Sequence, residues 1–286
     1  MGRKHKRRNP RSALPGSSGS RLRPGAKWLL PVAGALLAMA GWTVLRDGSG
    51  SAQTLSGEGY QVVARYPHDP DAYTQGLFFD GGHLIEGTGL RGESTLRRVE
   101  IETGRVIESI AIPTRYFGEG IAAIGDRIFQ LTWTSGLGFI YDRETFQQTE
   151  QFRYRGEGWG LATDGEVLIL SDGTAQLRFL DPNTFEERRS VEVRRGASPV
   201  TNLNELEFIN GEVWANVWYS NQILRISPET GEVIGELDMT PLRTEARPRT
   251  SEAVLNGIAY DPDQDHVYIT GKLWPTMFVL RVDATR

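Results

Sequence analysis

An all-β, five-bladed propeller is the architecture this sequence predicts, and three observations predict it. A short phrase recurs five times, as Gln75-Gly-Leu, Glu119-Gly-Ile, Trp159-Gly-Leu, Asn204-Glu-Leu and Asn256-Gly-Ile. Its spacing of roughly 40 to 52 residues is the period of propeller blades and too short for separate domains. Each head is followed by a Gly- or Asp-rich turn and a second apolar run: HLIEGTG, RIFQLTW, EVLILSD, EVWANVW and HVYITGK. A second element keeps step with the first. IETGRVIESI, DRETFQQTEQF, DPNTFEERRSV and SPETGEVIGEL each place Thr before Gly or Phe between two strand-like runs. These read as the outer hairpins of four-stranded antiparallel blades.

The elements follow in chain order. Residues 1–27 form a basic leader rich in Gly, Pro and Ser, expected to stay in the cytoplasm. Residues 28–45 are apolar without a charge, long enough for a marginal span. Basic residues ahead of such a span hold the N-terminus inside and send the remainder outward. Ala38-Met39-Ala40 offers a small-x-small cleavage pattern, so the segment reads as a signal-anchor or as a signal peptide core. Either reading exports the remainder to the periplasmic or extracellular side. Residues 46–58 read as a flexible linker, and residues 59–286 as the propeller. Turn dipeptides Asp80-Gly81, Asp164-Gly165 and Asn210-Gly211 mark hairpins. No window shows sustained helical periodicity, and Thr240 to Ser251 reads as a loop beside the site. The fifth blade lacks an outer strand, which the run from Tyr60 can supply, closing the ring and removing exposed edges.

Composition excludes several function classes. Ten of the 32 Lys and Arg lie in residues 1–46, so 22 bases face 36 acids downstream, a net charge of −14. So acidic a domain is unsuited to nucleic acid, whose phosphates need a basic face. There is no cysteine, which removes disulfides, thiolate catalysis and Cys-based zinc sites. The four histidines His5, His68, His83 and His266 are scattered and argue against zinc.

In a propeller the innermost strands line the central channel, so the five heads share one mouth. The second strands return there with Gly89, Trp133, Asp172, Trp218 and Lys272. An acid, two amide types, a lysine and several indoles thus converge, as in a small-ligand pocket. Each residue taken alone has a packing explanation, since strand-end polar groups often only satisfy the backbone. The joint pattern carries the functional reading.

Tyr73-Thr-Gln-Gly-Leu, Tyr116-Phe-Gly-Glu-Gly, Leu131-Thr-Trp, Glu157-Gly-Trp-Gly-Leu, Asn204-Glu-Leu-Glu, Trp214-Ala-Asn-Val-Trp and Gly271-Lys-Leu-Trp-Pro resemble plant- and bacterial-type glutaminyl cyclotransferases. The resemblance runs from about Tyr60 to Val282, with the motifs in order. One departure is Glu86-Gly-Thr-Gly, where the family pattern places Ser in the position of Gly87. The resemblance implies a metal-free enzyme without cofactors that cyclises N-terminal Gln of peptides or proteins to pyroglutamate and releases ammonia. Glu119 is then the general acid and base, with Gln75, Asn204 and Lys272 orienting the amide or meeting negative charge. Phe117, Trp133, Trp159 and Trp218 would wall the pocket, and Tyr73 would add to the wall. A monomer is expected, tied to the membrane if the N-terminal segment is retained. Two rivals remain at this point: a calcium-dependent lactonase-type hydrolase using Glu119, Asn204, Asn256 and Asp172, and a non-catalytic peptide-binding or scaffold propeller.

Overall fold

Runs such as HLIEGT and RIFQLT are buried at nearly every residue, which a strand needs when neighbouring sheets cover both of its faces. A computed structural model shows that arrangement. The structure describes residues 56–57 and 59–283. The predicted leader and apolar segment lie outside them, as does most of the linker. Among the described residues no helix is long and apolar enough to cross a membrane.

Five antiparallel blades follow one another. From the axis outward, blade 1 holds Thr74–Asp80, His83–Thr88, Thr95–Glu100 and Val106–Ala111. Blade 2 holds Gly118–Ile124, Arg127–Thr132, Leu137–Asp142 and Gln148–Arg153. Blade 3 holds Leu161–Thr163, Leu168–Ser171, Gln176–Leu180 and Glu187–Glu192. Blade 4 holds Leu203–Ile209, Glu212–Val217, Gln222–Ile226 and Val233–Asp238. Blade 5 holds Leu255–Asp261, His266–Gly271 and Thr276–Val282. Its outer strand is Tyr60–Pro67, which pairs antiparallel with Thr276–Val282 from Tyr60 opposite Val282 to Pro67 opposite Thr276.

Side-chain alternation distributes the core over the seams between blades. Leu77 and Leu84 face Ala259, Tyr268 and Val279 of blade 5, while Phe78 and Ile85 face Ile121, Ile128 and Phe139 of blade 2. The other three seams are filled in the same way. Outer hairpins turn on short side chains that replace backbone partners. Asp142 Oδ1 accepts from Thr145 N at 2.8 Å, and Asp181 Oδ1 accepts from Asn183 N and Thr184 N.

The stretch read as a loop contains a helix, Thr240–Ala246. Pro241 starts it and Leu242 and Ala246 are its buried residues, packed with Met239 and Trp274. Two turns are too few to set up a periodic pattern, and tertiary packing stabilises so short a helix.

The second residue of the head phrase explains why it is glycine. A Cβ on Gly76 would lie 2.6 Å from Ile121 N, one on Gly120 2.5 Å from Leu161 N, and one on Gly160 1.9 Å from Asn204 O. In each case the obstacle is the innermost backbone of the next blade, which has no room to retreat. Gly160→Ala is therefore expected to destabilise by about 1–3 kcal/mol or more, as overpacking does. Gly81→Asn, at a turn with open space around it, is expected to be near neutral. Denaturation midpoints of the two variants check the contrast.

Candidate active site

A second repeated feature sits beside the glycine. The pairing of innermost and second strands shifts register between Thr74 and Gly76, Gly118 and Ile121, Leu203 and Leu206, and Leu255 and Ile258. Gln75, Glu119, Asn204 and Asn256 are the heads skipped by these shifts. A bulge re-aims its side chain out of the ladder, which is how strand residues come to point along the channel mouth. In blade 3 the head precedes the strand, and Trp159 N donates to Ser171 O at 3.0 Å.

The mouth holds a cavity of about 150 Å³ lined by Tyr73, Gln75, Phe117, Glu119, Trp133, Trp159, Asn204, Trp218 and Lys272. The structure thus brings together the nine residues that the cyclotransferase resemblance implicates. Three members of the predicted rings, Asn256, Asp172 and Gly89, fall outside this lining. Asn256 lies below it, donating through Nδ2 to Thr74 O at 2.9 Å and to Gln75 Oε1 at 3.4 Å. Asp172 folds into its own turn, where Oδ1 accepts from Thr174 N and Thr174 Oγ1. Gly89 serves by absence, since a Cβ there would strike the Phe117 ring at 2.4 Å.

The walls are aromatic and mutually braced. Phe117 meets Tyr73 edge-on at 6.1 Å and Trp133 at 5.7 Å, and Trp159 meets Trp218 at 5.3 Å. A residue not anticipated orients two of these indoles. Glu157 Oε2 accepts from Trp133 Nε1 at 2.7 Å and from Trp159 Nε1 at 2.9 Å. Its place within Glu157-Gly-Trp-Gly-Leu was visible, but the distant indole it also holds was not.

Inside the walls, Glu119 is buried and its Oε2 has no hydrogen-bond partner. Burial holds its pKa well above the usual carboxylate value; Lys272 pulls it down and Glu157 pushes it further up. Lys272 is buried as well, and burial brings its pKa down to about 8 against the opposing charges of Glu119 and Glu252. Its Nζ lies 4.8 Å from the Tyr73 ring centroid, a cation–π placement. Asn204 Oδ1 also lacks a partner. A buried carboxylate oxygen and a buried amide oxygen left unpaired beside a cavity are two costly groups that a ligand can satisfy.

This arrangement can be compared with known proteins. A glutamine cyclotransferase family profile matches residues 35–282. A glutaminyl-peptide cyclotransferase of Arabidopsis thaliana is 43% identical over 226 residues, covering 78% of this chain and 71% of the relative. The crystal structure of Myxococcus xanthus glutaminyl cyclase superposes with a TM-score of 0.75 at 39% identity, covering 79% of this chain and 97% of that one. The chain belongs to the glutamine cyclotransferase family. The Gly87 departure from the glutamine cyclotransferase pattern sits in a tight place: a Cβ would lie 3.0 Å from Ile121 Cγ2 and 3.2 Å from Glu119 O.

Beside Thr74 in this glutamine cyclotransferase lies a charged cluster that sequence reading missed, because His68, Asp69, Glu86 and Arg97 follow no repeat and meet the distant Trp274 only in the fold. His68 Nδ1 is 2.6 Å from Trp274 O, and its Nε2 is 3.1 Å from Glu86 Oε1. Thr74 Oγ1 also donates to Glu86 Oε1. Arg97 Nε donates to Glu86 Oε2 at 2.8 Å, and Arg97 Nη1 to Asp69 Oδ2 at 2.8 Å. A backbone carbonyl and an ionised carboxylate only accept, so both ring nitrogens of His68 must carry protons. Burial works against that charge, but Glu86 and the Trp274 carbonyl outweigh it and raise the His68 pKa. Burial likewise opposes the Glu86 charge, yet Arg97 and His68 bring its pKa to about 2. The cluster ties Thr74, between Tyr73 and Gln75, to the strand end that carries Lys272. Leu273 N adds a bond to Ala72 O at 2.7 Å.

The pH dependence follows from these directions. The Glu86 contribution is present above its ordinary value of 4.5 and fades as pH falls toward about 2. The His68 contribution is complete below 6.5 and is lost as pH rises through its raised folded value. Nitrogen chemical shifts are expected to show His68 doubly protonated at pH 7; a neutral ring would contradict the assignment. His68→Phe leaves the buried Trp274 carbonyl without its donor and is expected to cost about 1–3 kcal/mol in urea unfolding.

Proposed function

We propose that this chain is a glutaminyl-peptide cyclotransferase, converting N-terminal glutamine of peptides or proteins to pyroglutamate with release of ammonia. The observation that carries the reading is Glu119, buried with an unpaired oxygen in an aromatic cavity beside Lys272. At about 150 Å³ the cavity is well below the roughly 300–1,000 Å³ of drug-sized ligand pockets. It admits one terminal residue and not the middle of a peptide.

In this reaction the nucleophile and electrophile belong to the same residue, so holding the bent conformer supplies much of the proximity advantage. The substrate amine, with a reference pKa near 7.7–8.0, reacts as the free base. Its nitrogen attacks the side-chain amide carbon, forming the ring C–N bond while the carbonyl electrons move onto oxygen. Glu119 takes a proton from the attacking nitrogen and delivers it to the amide nitrogen. The carbonyl re-forms, the old C–N bond breaks, and ammonia leaves with that proton. Glu119 is returned to its starting state. Its raised pKa lies nearer to that of the amine, which favours transfer in both directions. Lys272, Gln75 and Asn204 surround the reacting amide, where positioned donors meet the oxyanion. The walls of Phe117, Trp133, Trp159 and Trp218 exclude the water that would yield glutamate.

The pairing of Tyr60–Pro67 with Thr276–Val282 supports reading that strand as the clasp that closes the ring. The charge-free run of residues 28–45 behind a basic leader supports an exported propeller, held at the membrane or released from it. Cell fractionation of the full chain tests the second point; activity confined to the cytosol would overturn it.

Ammonia release from a short peptide beginning with Gln tests the reaction. The reading routes no step through a metal, so release is expected to persist with chelator. Glu119→Gln is expected to lose about 10²- to 10⁴-fold in kcat. A folded Glu119→Gln with normal turnover would remove the central role. Lys272 loses its charge as pH rises through about 8, so kcat is expected to fall there. Lys272→Arg, whose guanidinium stays charged, should move that limb to higher pH.

A further inference from the structure

A cavity that holds one residue leaves the second residue of the substrate on the rim. Two exposed aromatics stand there, Trp133 at 39% and Tyr219 at 58% exposure. Tyr219 is the more unusual. Its backbone adopts φ 60°, the left-handed region that bulky residues rarely occupy. A large exposed ring held in that conformation is an outlier of the kind that marks functional sites.

The ring is fixed at both ends. One side leans on Trp218, a wall of the cavity, at 4.6 Å between centroids and a 43° tilt. The hydroxyl donates to Glu252 Oε1 at 3.2 Å, across the gap to the next blade. Glu252 and Tyr219 both act electrostatically on Tyr73, and Glu252 on Lys272, so the pair stands beside the opening. The rest of the phenol surface faces solvent, with a carboxylate at its tip. No step of the cyclisation uses either residue.

We propose that Tyr219 and Glu252 form the subsite for the residue that follows the N-terminal glutamine, and that it selects flat side chains, aromatic rings or guanidinium groups. The inference rests on the cyclotransferase reading above. An aromatic ring stacks against the phenol. A guanidinium gains the same face together with the adjacent carboxylate.

The experiment measures kcat/KM for glutamine amide and for the amides of Gln-Gly, Gln-Phe and Gln-Arg. The native enzyme is expected to prefer Gln-Phe and Gln-Arg over Gln-Gly by roughly 3- to 10-fold. Tyr219→Ala should bring both ratios close to one. Tyr219→Asn should do the same while tolerating the left-handed turn, which guards against a folding artefact. Tyr219→Phe should keep the Gln-Phe ratio, and Glu252→Gln should lower the Gln-Arg ratio alone. A folded Tyr219→Asn with native ratios, or a native enzyme that does not discriminate, would overturn the subsite while glutamine amide turnover left the cyclotransferase reading intact. No turnover of any of the four substrates would remove both.

Discussion

Five sheet edges meet at one axis, and their backbone groups must be satisfied without the water that normally serves an edge. That constraint shapes the interior of the molecule. The innermost strands approach until backbone can bond backbone, as where Gly120 N donates to Trp159 O at 2.8 Å across two blades. Where it cannot, a polar side chain intervenes. Ser171 Oγ accepts from Gly160 N and donates to Asn204 O at 2.7 Å, and Asn216 Oδ1 accepts from Gly257 N at 2.9 Å. Close approach requires glycine behind the head residue, and the bulge made there turns the head out of the ladder. The glycines and the pocket residues are therefore consequences of one packing condition, which is why they recur together in the sequence.

The chemistry of the pocket depends on what its residues are prevented from doing. Glu119 could pair with a nearby donor and settle at an ordinary carboxylate pKa. Instead its Oε2 is left without a partner, and Trp133 and Trp159 have given their N–H groups to Glu157. Burial brings the Lys272 pKa down to about 8 against the charges of Glu119 and Glu252, and its Nζ faces the Tyr73 ring. Both groups are thereby displaced from their ordinary values, Glu119 upward and Lys272 downward. Charges as buried as those of Glu119 and Lys272 act on each other and on a substrate more strongly than they would in water.

Much of this was legible in the sequence because the propeller repeats. Equivalent positions of equivalent blades occupy one ring, so aligning five phrases was enough to gather Gln75, Glu119, Trp159 and Asn204, and the returning strands added Trp133, Trp218 and Lys272. Tyr73 and Phe117 came from the family resemblance. The alignment placed Asp172 in the same ring; a short Asx turn to Thr174 takes its carboxylate away, a local choice that position within a repeat does not determine. Interactions that break the repeat were not readable. The helix Thr240–Ala246 occurs in one blade connection only. The cluster of His68, Asp69, Glu86 and Arg97 joins parts of blades 1 and 5 by side chains with no counterpart in other blades. Glu157 was seen as part of a motif, but its bond to Trp133 crosses from one blade to the next.

Blade 4 shows what happens when the repeat is broken at the axis itself. Its head phrase carries Glu205 where the four other blades carry glycine. The carboxylate crosses the axis instead of avoiding it. Oε1 accepts from Leu77 N of blade 1 at 3.3 Å, and Oε2 from Ile258 N of blade 5 at 2.9 Å. Those are edge donors of two innermost strands, and this one side chain satisfies both. Burial and the charge of Glu207 push the Glu205 pKa well above the ordinary value, while the two backbone donors oppose them. An alanine there would fit sterically yet leave two buried N–H groups without acceptors, each costing about 1–3 kcal/mol. Glutamate at position 205 therefore performs by hydrogen bonding what glycine performs elsewhere by close approach, and it holds blades 1, 4 and 5 in register around Gln75, Asn204 and Lys272.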